Sequence, residues 1–419
     1  MNHQDPYCII HVDSCKAKTK VKRKSLLAEL EPGVELRRWY TLKRRRADEF
    51  VCGQLHLQIL YETQIKQVSL SDFEILHLVG EGSFGKVFQV RKKDTGQVYA
   101  MKVLKKKKLV DEGEVEHTRT EKNILINNNH PFLVNLKFAF QTEKKIYFLF
   151  FHLKKERRFD EDKVRFYAAE ITLALEHLHS LGIIYRDLKP ENVLLESTGH
   201  IRLTDFGLSK AGLQATKGKT TTFCGTPEYL APEVIKGTSY SYEIDWWSLG
   251  TIMYEMFTSQ PPFACRNQSQ MYQRILNETP YYPNYIPASA KAIMNQLLEK
   301  DPRKRLNGKG VRKHPFFQSI DWDKLAAKKI KPPIIPHVKG EEDTSNVDKE
   351  FMERPAIDSF DFSAIDGDGL TESMDERLFA EFSYVSEREI KKKKEDKDAI
   401  PPTFLESILE SINEKLSDG

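Results

Sequence analysis

Several short stretches of this 419-residue chain carry side chains whose types and spacing suit work on phosphate. Gly80-Glu81-Gly82-Ser83-Phe84-Gly85-Lys86-Val87 is a G-x-G-x-x-G-x-V loop. A dinucleotide-binding loop with similar glycines opens a helix. Here strand-like Val87-Phe88-Gln89-Val90 follows, then Asp94-Thr95-Gly96 as a turn, then Val98-Tyr99-Ala100-Met101-Lys102-Val103. That order is strand, glycine turn, strand, hairpin, strand, so the loop can fold its backbone N–H groups over phosphates without side chains in the way. Lys102 lies in an apolar run where an unpaired ammonium would be costly. Glu121, on a helical stretch, and the α- and β-phosphates of a nucleotide are the anions that suit it.

Tyr185-Arg186-Asp187-Leu188-Lys189-Pro190-Glu191-Asn192 is more specific. Its spacing puts Asp187 and Asn192 on one loop, so a carboxylate can orient a substrate hydroxyl while an amide oxygen holds Mg²⁺. Lys189 can neutralise charge on a transferring phosphate. Thirteen residues past Asn192, after strand-like His200-Ile201-Arg202-Leu203, comes Asp205-Phe206-Gly207. Asp205 is the second candidate ligand for Mg²⁺, a hard cation that favours carboxylate and phosphate oxygens. Ala231-Pro232-Glu233 closes the segment that begins at Asp205.

The elements that must position these groups fall into blocks. Residues 1 to about 66 carry short alternating runs, Tyr7 to Val12 and Leu55 to Leu60, which read as strands. Residues 73 to about 150 are strand-rich, with a helical interruption near Val115 to Asn127, and Glu161 to Phe317 is mainly helical. Beyond Phe317 the composition turns to Pro, Lys and acidic residues, the pattern of an extended tail. A strand-rich lobe followed by a helical lobe leaves a cleft between them, where ligands often bind.

Composition sets limits on the alternatives. A formal charge of +4 is too small for a general polyanion binder, and no nucleic-acid motif is present. The basic runs Lys43 to Arg46, Lys105 to Lys108 and Lys391 to Lys394 read as solvated surface charge. Five scattered cysteines (Cys8, Cys15, Cys52, Cys224 and Cys265) lack metal-ligand spacing and fit a reducing compartment. No apolar run approaches the ~20 residues of a membrane helix, so a cytoplasmic protein is expected.

These residues resemble the protein kinase superfamily, and more closely its AGC branch of serine/threonine kinases. The branch resemblance rests on Tyr185 before Arg186-Asp187, on Thr222-Phe223-Cys224-Gly225-Thr226-Pro227-Glu228-Tyr229-Leu230-Ala231-Pro232-Glu233, and on Phe379-Ala380-Glu381-Phe382-Ser383-Tyr384. Lys189 is similar to the residue that marks Ser/Thr specificity. The resemblance implies an α+β, bilobal kinase fold over 73–317, followed by an AGC tail with a hydrophobic motif over 318–387; the residues themselves read as a charged linker with a short helix over 388–419. It implies ATP contacts at Gly80, Glu81, Gly82, Ser83, Phe84, Gly85, Lys86, Val87, Ala100, Lys102 and Leu194. Asp187, Lys189, Lys102 and Glu121 would be catalytic, with Asn192 and Asp205 on Mg²⁺. Phosphorylation by an upstream kinase is implied at Thr222, against Arg186, Lys210 and His117, and at Ser383. Glu191 and Glu255 match carboxylates that read basic residues near the target Ser/Thr of a protein substrate. Glu233 would pair with Arg305, Asp245 would brace the catalytic loop, and Phe379, Phe382 and Tyr384 would dock beside the Glu121 helix. Phe206, Tyr185, Leu125 and Leu136 match residues that align the lobes; plain core packing describes them equally well.

The chain departs from that pattern after Lys145-Ile146-Tyr147-Phe148, which runs directly into Leu149-Phe150-Phe151-His152-Leu153. Roughly nine residues of the family's pattern are absent, including the hinge backbone that binds adenine. Each hydrogen bond lost there is worth ~0.5–1.5 kcal/mol net. Either the chain is catalytically impaired, or a segment is missing from the sequence; intact Lys102, Asp187, Asn192 and Asp205 favour the second. Residues 1–66 resemble part of a C-two β-sandwich, with Asp5 alone at a calcium-ligand position, so Ca²⁺ binding is not expected. A lipid contact through Lys16, Lys18, Lys20, Lys22, Arg23 and Lys24 is one reading of that region, and Thr403-Phe404-Leu405-Glu406 reads as a capping box opening an amphipathic helix. Two functions of different class therefore stand: an active, phosphorylation-switched Ser/Thr kinase, and a kinase-shaped scaffold that binds partners without catalysis.

Overall fold

The computed structural model describes the backbone of four strands between residues 7 and 60, then residues 68–82, 85–142, 145–150, 159–212 and 219–336, and most of 339–354 and 379–389. It divides into two units, residues 1–66 with 387–419, and residues 67–386. In the first unit β1 (Tyr7–Val12) pairs antiparallel with β2 (Cys15–Lys20), and β3 (Glu35–Thr41) with β4 (Gln54–Leu60). The expected strands at Tyr7 and Leu55 are present, and β2 and β3 are their pairing partners. Asp5, Lys22 to Lys24, Lys43 to Arg46, Lys391 to Lys394 and the helix expected after Thr403 lie outside the described residues.

The second unit opens with an antiparallel sheet. Its strands are β5 (Phe73–Gly82), β6 (Gly85–Lys92), β7 (Val98–Lys105), β8 (Phe138–Gln141) and β9 (Lys145–Phe150). Near its end β12 (Tyr384–Val385) joins them, and the order across the sheet is β12-β8-β9-β7-β6-β5. All residues of β7 but Lys102 and Lys105 are buried, so this central strand is covered on both faces. On one face Phe73, Tyr99, Phe138 and Phe140 stack ring against ring, with Phe73 and Phe140 5.7 Å apart and nearly parallel. Such pairs add ~0.5–1.5 kcal/mol beyond their buried area. Pairing β12 onto β8 removes an open edge that would otherwise offer its backbone groups to another chain.

Strand β9 is longer than its sequence suggests. The ladder continues through Leu149 opposite Met101 and Phe150 opposite Ala100, so residues read as the start of the next segment join the sheet. The connection where the hinge pattern is short, residues 151–158, lies outside the described residues.

Between β7 and β8 lie α1 (Lys106–Asp111) and α2 (Val115–Ile126). Helix α1 falls where a solvated basic run was expected. Lys106 is instead only 6% exposed, because its ammonium sits 5.0 Å from the centre of the Phe379 ring. An aromatic face attracts a cation that its surroundings have desolvated.

The helical lobe is built on α3 (Glu161–Ser180) and α5 (Glu243–Thr258). Asp160 caps α3 by accepting from the Lys163 N–H at 3.0 Å, Glu161 and Asp162 sit in its first turn, and His177 and His179 in its last. The cap and the acidic first turn suit the N-terminal end of the helix dipole. Helix α5 is buried nearly all round, through Trp246, Trp247, Leu249, Ile252 and Met253. Between these two helices run β10 (Val193–Leu195), β11 (Ile201–Leu203) and α4 (Pro232–Ile235). After them come α6 (Gln268–Asn277), α7 (Ala288–Leu297), α8 (Gly308–Lys313), α9 (Trp322–Ala326) and α10 (Lys349–Met352). The tail begins with more core than its composition suggested: Leu325 of α9 is fully buried in the cluster that α3 and α5 share.

Candidate active site

The first group of functional side chains converges on Lys102. Its Nζ donates to Glu121 Oε1 at 2.8 Å and to Asp205 Oδ1 at 3.1 Å. The three residues come from β7, from α2 and from the loop after β11, so this ion pair joins elements 103 residues apart in sequence. Burial works against the Lys102 charge, but Asp205 and Glu121 outweigh it and hold the ammonium above its ordinary value. Burial pushes Glu121 up, while the Lys102 charge holds the Asp205 carboxyl below its ordinary 3.8. Asp205 is half exposed and stands at φ 58, a left-handed conformation uncommon outside glycine.

Asp205 is brought there by a stitched strand. In β11, Leu203 N donates to Phe132 O at 2.9 Å and Val134 N donates back to Leu203 O at 2.9 Å. Arg202 Nη1 donates to Leu133 O at 2.7 Å. Buried Glu170 of α3 accepts from Ile201 N at 2.8 Å and lies 2.5 Å from His200 Nδ1. Sequence reasoning missed Glu170 and His200; nothing local to either residue signals the partner.

The second group lies on the loop before β10. Asp187 Oδ2 lies 2.7 Å from Lys189 Nζ and accepts from Asn192 Nδ2 at 2.9 Å. Asp187 Oδ1 accepts from the Thr226 hydroxyl at 2.8 Å, and Lys189 Nζ donates to the same hydroxyl oxygen at 3.0 Å. Thr226, which the sequence marked only as part of a longer motif, therefore closes a ring with Asp187 and Lys189. Thr204 N donates to Asn192 O at 3.0 Å, which sets Asp205 beside Asn192.

The backbone of this loop is bent, with Arg186 at φ 70, and is held by one buried carboxylate. Asp245 of α5 accepts from Tyr185 N and Arg186 N, each at 2.9 Å, and lies 2.7 Å from His179 Nε2. The bracing role expected of Asp245 has its geometry here. Phe206 and Tyr185 meet edge to face at 5.5 Å, and with Leu125 and Leu136 all four belong to the main buried cluster. Glu233 and Arg305 form a two-point ion pair at 2.5 and 2.9 Å.

Of the expected ATP contacts, Gly80, Glu81, Gly82, Gly85, Lys86 and Val87 lie on the β5–β6 hairpin, and Ser83 and Phe84 lie outside the described residues. Val87 pairs across the ladder with Lys102; Val87 and Leu194 are half-buried and Ala100 is buried. The glycines are not equivalent. A Cβ on Gly85 would fall 1.8 Å from Val103 O, whereas one on Gly80 would meet only Val87 at 3.7 Å. Gly85→Ala is therefore expected to cost about 1–3 kcal/mol, as overpacking does, and Gly80→Ala less than about 0.5. Chemical unfolding of the two variants checks this, and equal losses would contradict it.

The acidic pair expected to read substrate flanks Tyr229. The Tyr229 hydroxyl donates to Glu255. Burial raises its pKa, and the charges of Glu255, Glu191 and Glu228 add to the effect. Thr222 is exposed on the segment from Asp205 to Glu233, the activation segment, where Tyr240 OH donates to its carbonyl at 2.6 Å and Lys210 pairs its backbone with Ile184. His117 Nδ1 lies 2.6 Å from Glu114. Arg186 donates through Nε to Leu208 O, while its buried Nη1 and Nη2 have no hydrogen-bond partner among the described residues. On the tail, Phe379 and Phe382 are each 1% exposed, the latter 5.1 Å from Lys122 of α2, and Ser383 between Phe382 and β12 is exposed.

A protein kinase domain model matches residues 73–317, and a protein kinase C terminal domain model matches residues 338–384. Among curated proteins, a RAC family serine/threonine-protein kinase homolog of Dictyostelium discoideum is 53% identical over 335 residues, 77% of this chain and 74% of the relative. The serine/threonine-protein kinase gad8 of Schizosaccharomyces pombe is 46% identical over 345 residues, and YPK1 of Saccharomyces cerevisiae 44% identical over 351. These matches span 60% and 51% of those two relatives' lengths. With its two-lobed fold, its catalytic-loop geometry and its tail strand, the chain belongs to the AGC branch of the serine/threonine protein kinases.

Proposed function

We propose that the chain is active as it stands, moving the γ-phosphate of Mg-ATP to Ser or Thr hydroxyls near basic residues, under control of phosphorylation at Thr222 and Ser383. The observation that carries this is the hydrogen-bonded ring of Asp187, Lys189 and Thr226 beside a Lys102 already locked onto Glu121 and Asp205. Asp187 accepts the proton of the substrate hydroxyl as its oxygen attacks the γ-phosphorus and the bond to the bridging oxygen breaks. Lys189, beside that carboxylate, faces the charge on the transferring group, and Lys102 holds the α- and β-phosphates. Asn192 commits its Nδ2 to Asp187, which leaves its amide oxygen, with the Asp205 carboxylate, as hard donors that fit Mg²⁺. When bound there, the ion supplies charge neutralisation on the phosphate oxygens.

Glu191 and Glu255 beside Tyr229 support a preference for basic residues near the target. The orphaned Arg186 nitrogens support Thr222 as the switch, since a phosphate adds about −1.5 to −2 charge. Hydrogen bonds to a charged group are worth ~1.5–3 kcal/mol, so phosphorylation of Thr222 is expected to raise kcat about 10- to 100-fold. In Arg186→Gln the ratio between phosphorylated and unphosphorylated enzyme falls towards one; an unchanged ratio would remove Arg186 from the switch.

One observation favours a non-catalytic scaffold instead: the family's hinge pattern is short after Phe148. A thermal shift with Mg-ATP separates the two, because a ligand that binds only the native state stabilises it by ~2.7 kcal/mol at 100 times its Kd. A raised midpoint supports the enzyme, and none at saturating Mg-ATP supports the scaffold. A cytoplasmic location and a lipid contact through Lys16, Lys18, Lys20, Lys22, Arg23 and Lys24 are further proposals from the sequence. Co-sedimentation with anionic vesicles tests the lipid contact.

A further inference from the structure

Lys300, just past the end of α7, takes no part in the phosphate-transfer reading. It is half-buried, and its Nζ donates to Ile275 O at 2.5 Å, in the last turn of α6. Carbonyls of a last turn have no partner within their own helix. The same nitrogen lies 4.9 Å from the centre of the Phe263 ring and 5.6 Å from that of Trp247. Both rings are buried, 6.0 Å apart and within 10° of parallel. Among the described residues no carboxylate forms an ion pair with Lys300.

These surroundings suit a neutral nitrogen better than a charged one. An ammonium brings three N–H donors, and the site meets them with one carbonyl and two ring faces. Burial disfavours the charge, Glu278 and Glu299 support it, and Lys236 and Arg305 oppose it. The ring faces attract a cation. Burial outweighs the supporting groups and lowers the lysine to about 8. At pH 7 about a tenth of such side chains are neutral, against fewer than about one in a thousand for an ordinary lysine. A neutral amine can donate one N–H to Ile275 O and still present its lone pair. An amide nitrogen also keeps one N–H, so the same carbonyl serves an acylated product.

We propose that Lys300 is a modification site: a nucleophilic amine, held by Ile275 O against Phe263 and Trp247, that takes the acyl group of small acyl phosphates. The nitrogen lone pair attacks the acyl carbon, and a C–N bond forms as the C–O bond to phosphate breaks. Phosphate leaves with that electron pair, and the proton released from nitrogen goes to it; nothing is oxidised or reduced. The half-buried amine admits a small donor, and Lys236, exposed and close enough to act on Lys300, favours a phosphate arriving there. The neutral amide removes both the cost of burying a charge and the repulsion from Lys236 and Arg305.

The test treats the folded chain, without nucleotide, with acetyl phosphate and reads the rate at each lysine by peptide mass spectrometry. At pH 7 Lys300 is expected to react about 10- to 50-fold faster than exposed Lys309, because its larger neutral fraction outweighs the lower basicity of its nitrogen. Its rate should rise with pH and level off by about pH 9, whereas in the chain unfolded by guanidinium chloride the same residue keeps gaining beyond that and loses its lead. A rate at Lys300 no greater than at Lys309 would overturn the proposal. So would a rate that climbs with pH in the folded chain as it does in the unfolded one, or a lead that survives unfolding, since the fold would then not be its cause. None of these outcomes depends on phosphate transfer by the chain.

Discussion

Asp187→Asn is expected to lower kcat by about 10²–10⁴-fold, the usual contribution of a positioned acid or base, while leaving Mg-ATP affinity within about twofold. The amide keeps the carboxylate's size but not its charge. Asp187 accepts from Thr226 on one oxygen and faces Asn192 and Lys189 on the other. An amide must turn an N–H towards one of those donors and gives up the site for the hydroxyl proton. Lys102, Glu121 and Asp205 are untouched, which is why nucleotide affinity is preserved. Single-turnover transfer and nucleotide binding, measured on the same preparation, check both halves. A loss of binding as large as the loss of rate would mean that Asp187 supports the cleft and not the chemistry.

Glu233→Ala is expected to cost about 3–5 kcal/mol of stability, the range for breaking a buried ion pair by removing one partner. Arg305 and Glu233 side chains are 0% and 5% exposed. With Glu233 gone, the guanidinium keeps Glu299 O and Glu243 O, each at 2.9 Å, and the Trp247 ring at 5.1 Å, but it loses its counter-charge. Against a typical total of about 5–15 kcal/mol, that is a large fraction. Urea unfolding should show a lower midpoint at unchanged slope. Replacing both partners, Glu233→Met with Arg305→Leu, should recover much of the loss, because it removes the stranded charge. If the double variant is no better than the single, the cost lies in packing and not in the charge.

The candidate site residues were legible because each sits in a short motif whose spacing alone fixes its loop. Asp187 and Asn192 share one turn, and Asp205 follows a strand that needs no distant information to recognise. What escaped sequence reasoning depends on tertiary approach. Thr226 becomes part of the Asp187 ring only because the activation segment folds back onto the loop, over a Gly225 whose Cβ would lie 3.1 Å from Arg186 O. Lys106 read as one of four solvated lysines until the Phe379 ring, from the far end of the chain, covered it. Arg354 meets Glu81 across 273 residues, a pairing that no local pattern announces. The extension of β9 to Phe150 was missed for a different reason: an apolar run such as Leu149-Phe150-Phe151 fits a buried strand or a buried helix equally well.

The most direct test is transfer of labelled phosphate from Mg-ATP to an arginine-rich serine peptide by the 419-residue chain, with Asp205→Ala as the blank. The account predicts transfer well above that blank, with the alanine version of the peptide unlabelled. Transfer no greater than the blank, from a chain that unfolds cooperatively on heating, would contradict it and leave a kinase fold without kinase activity.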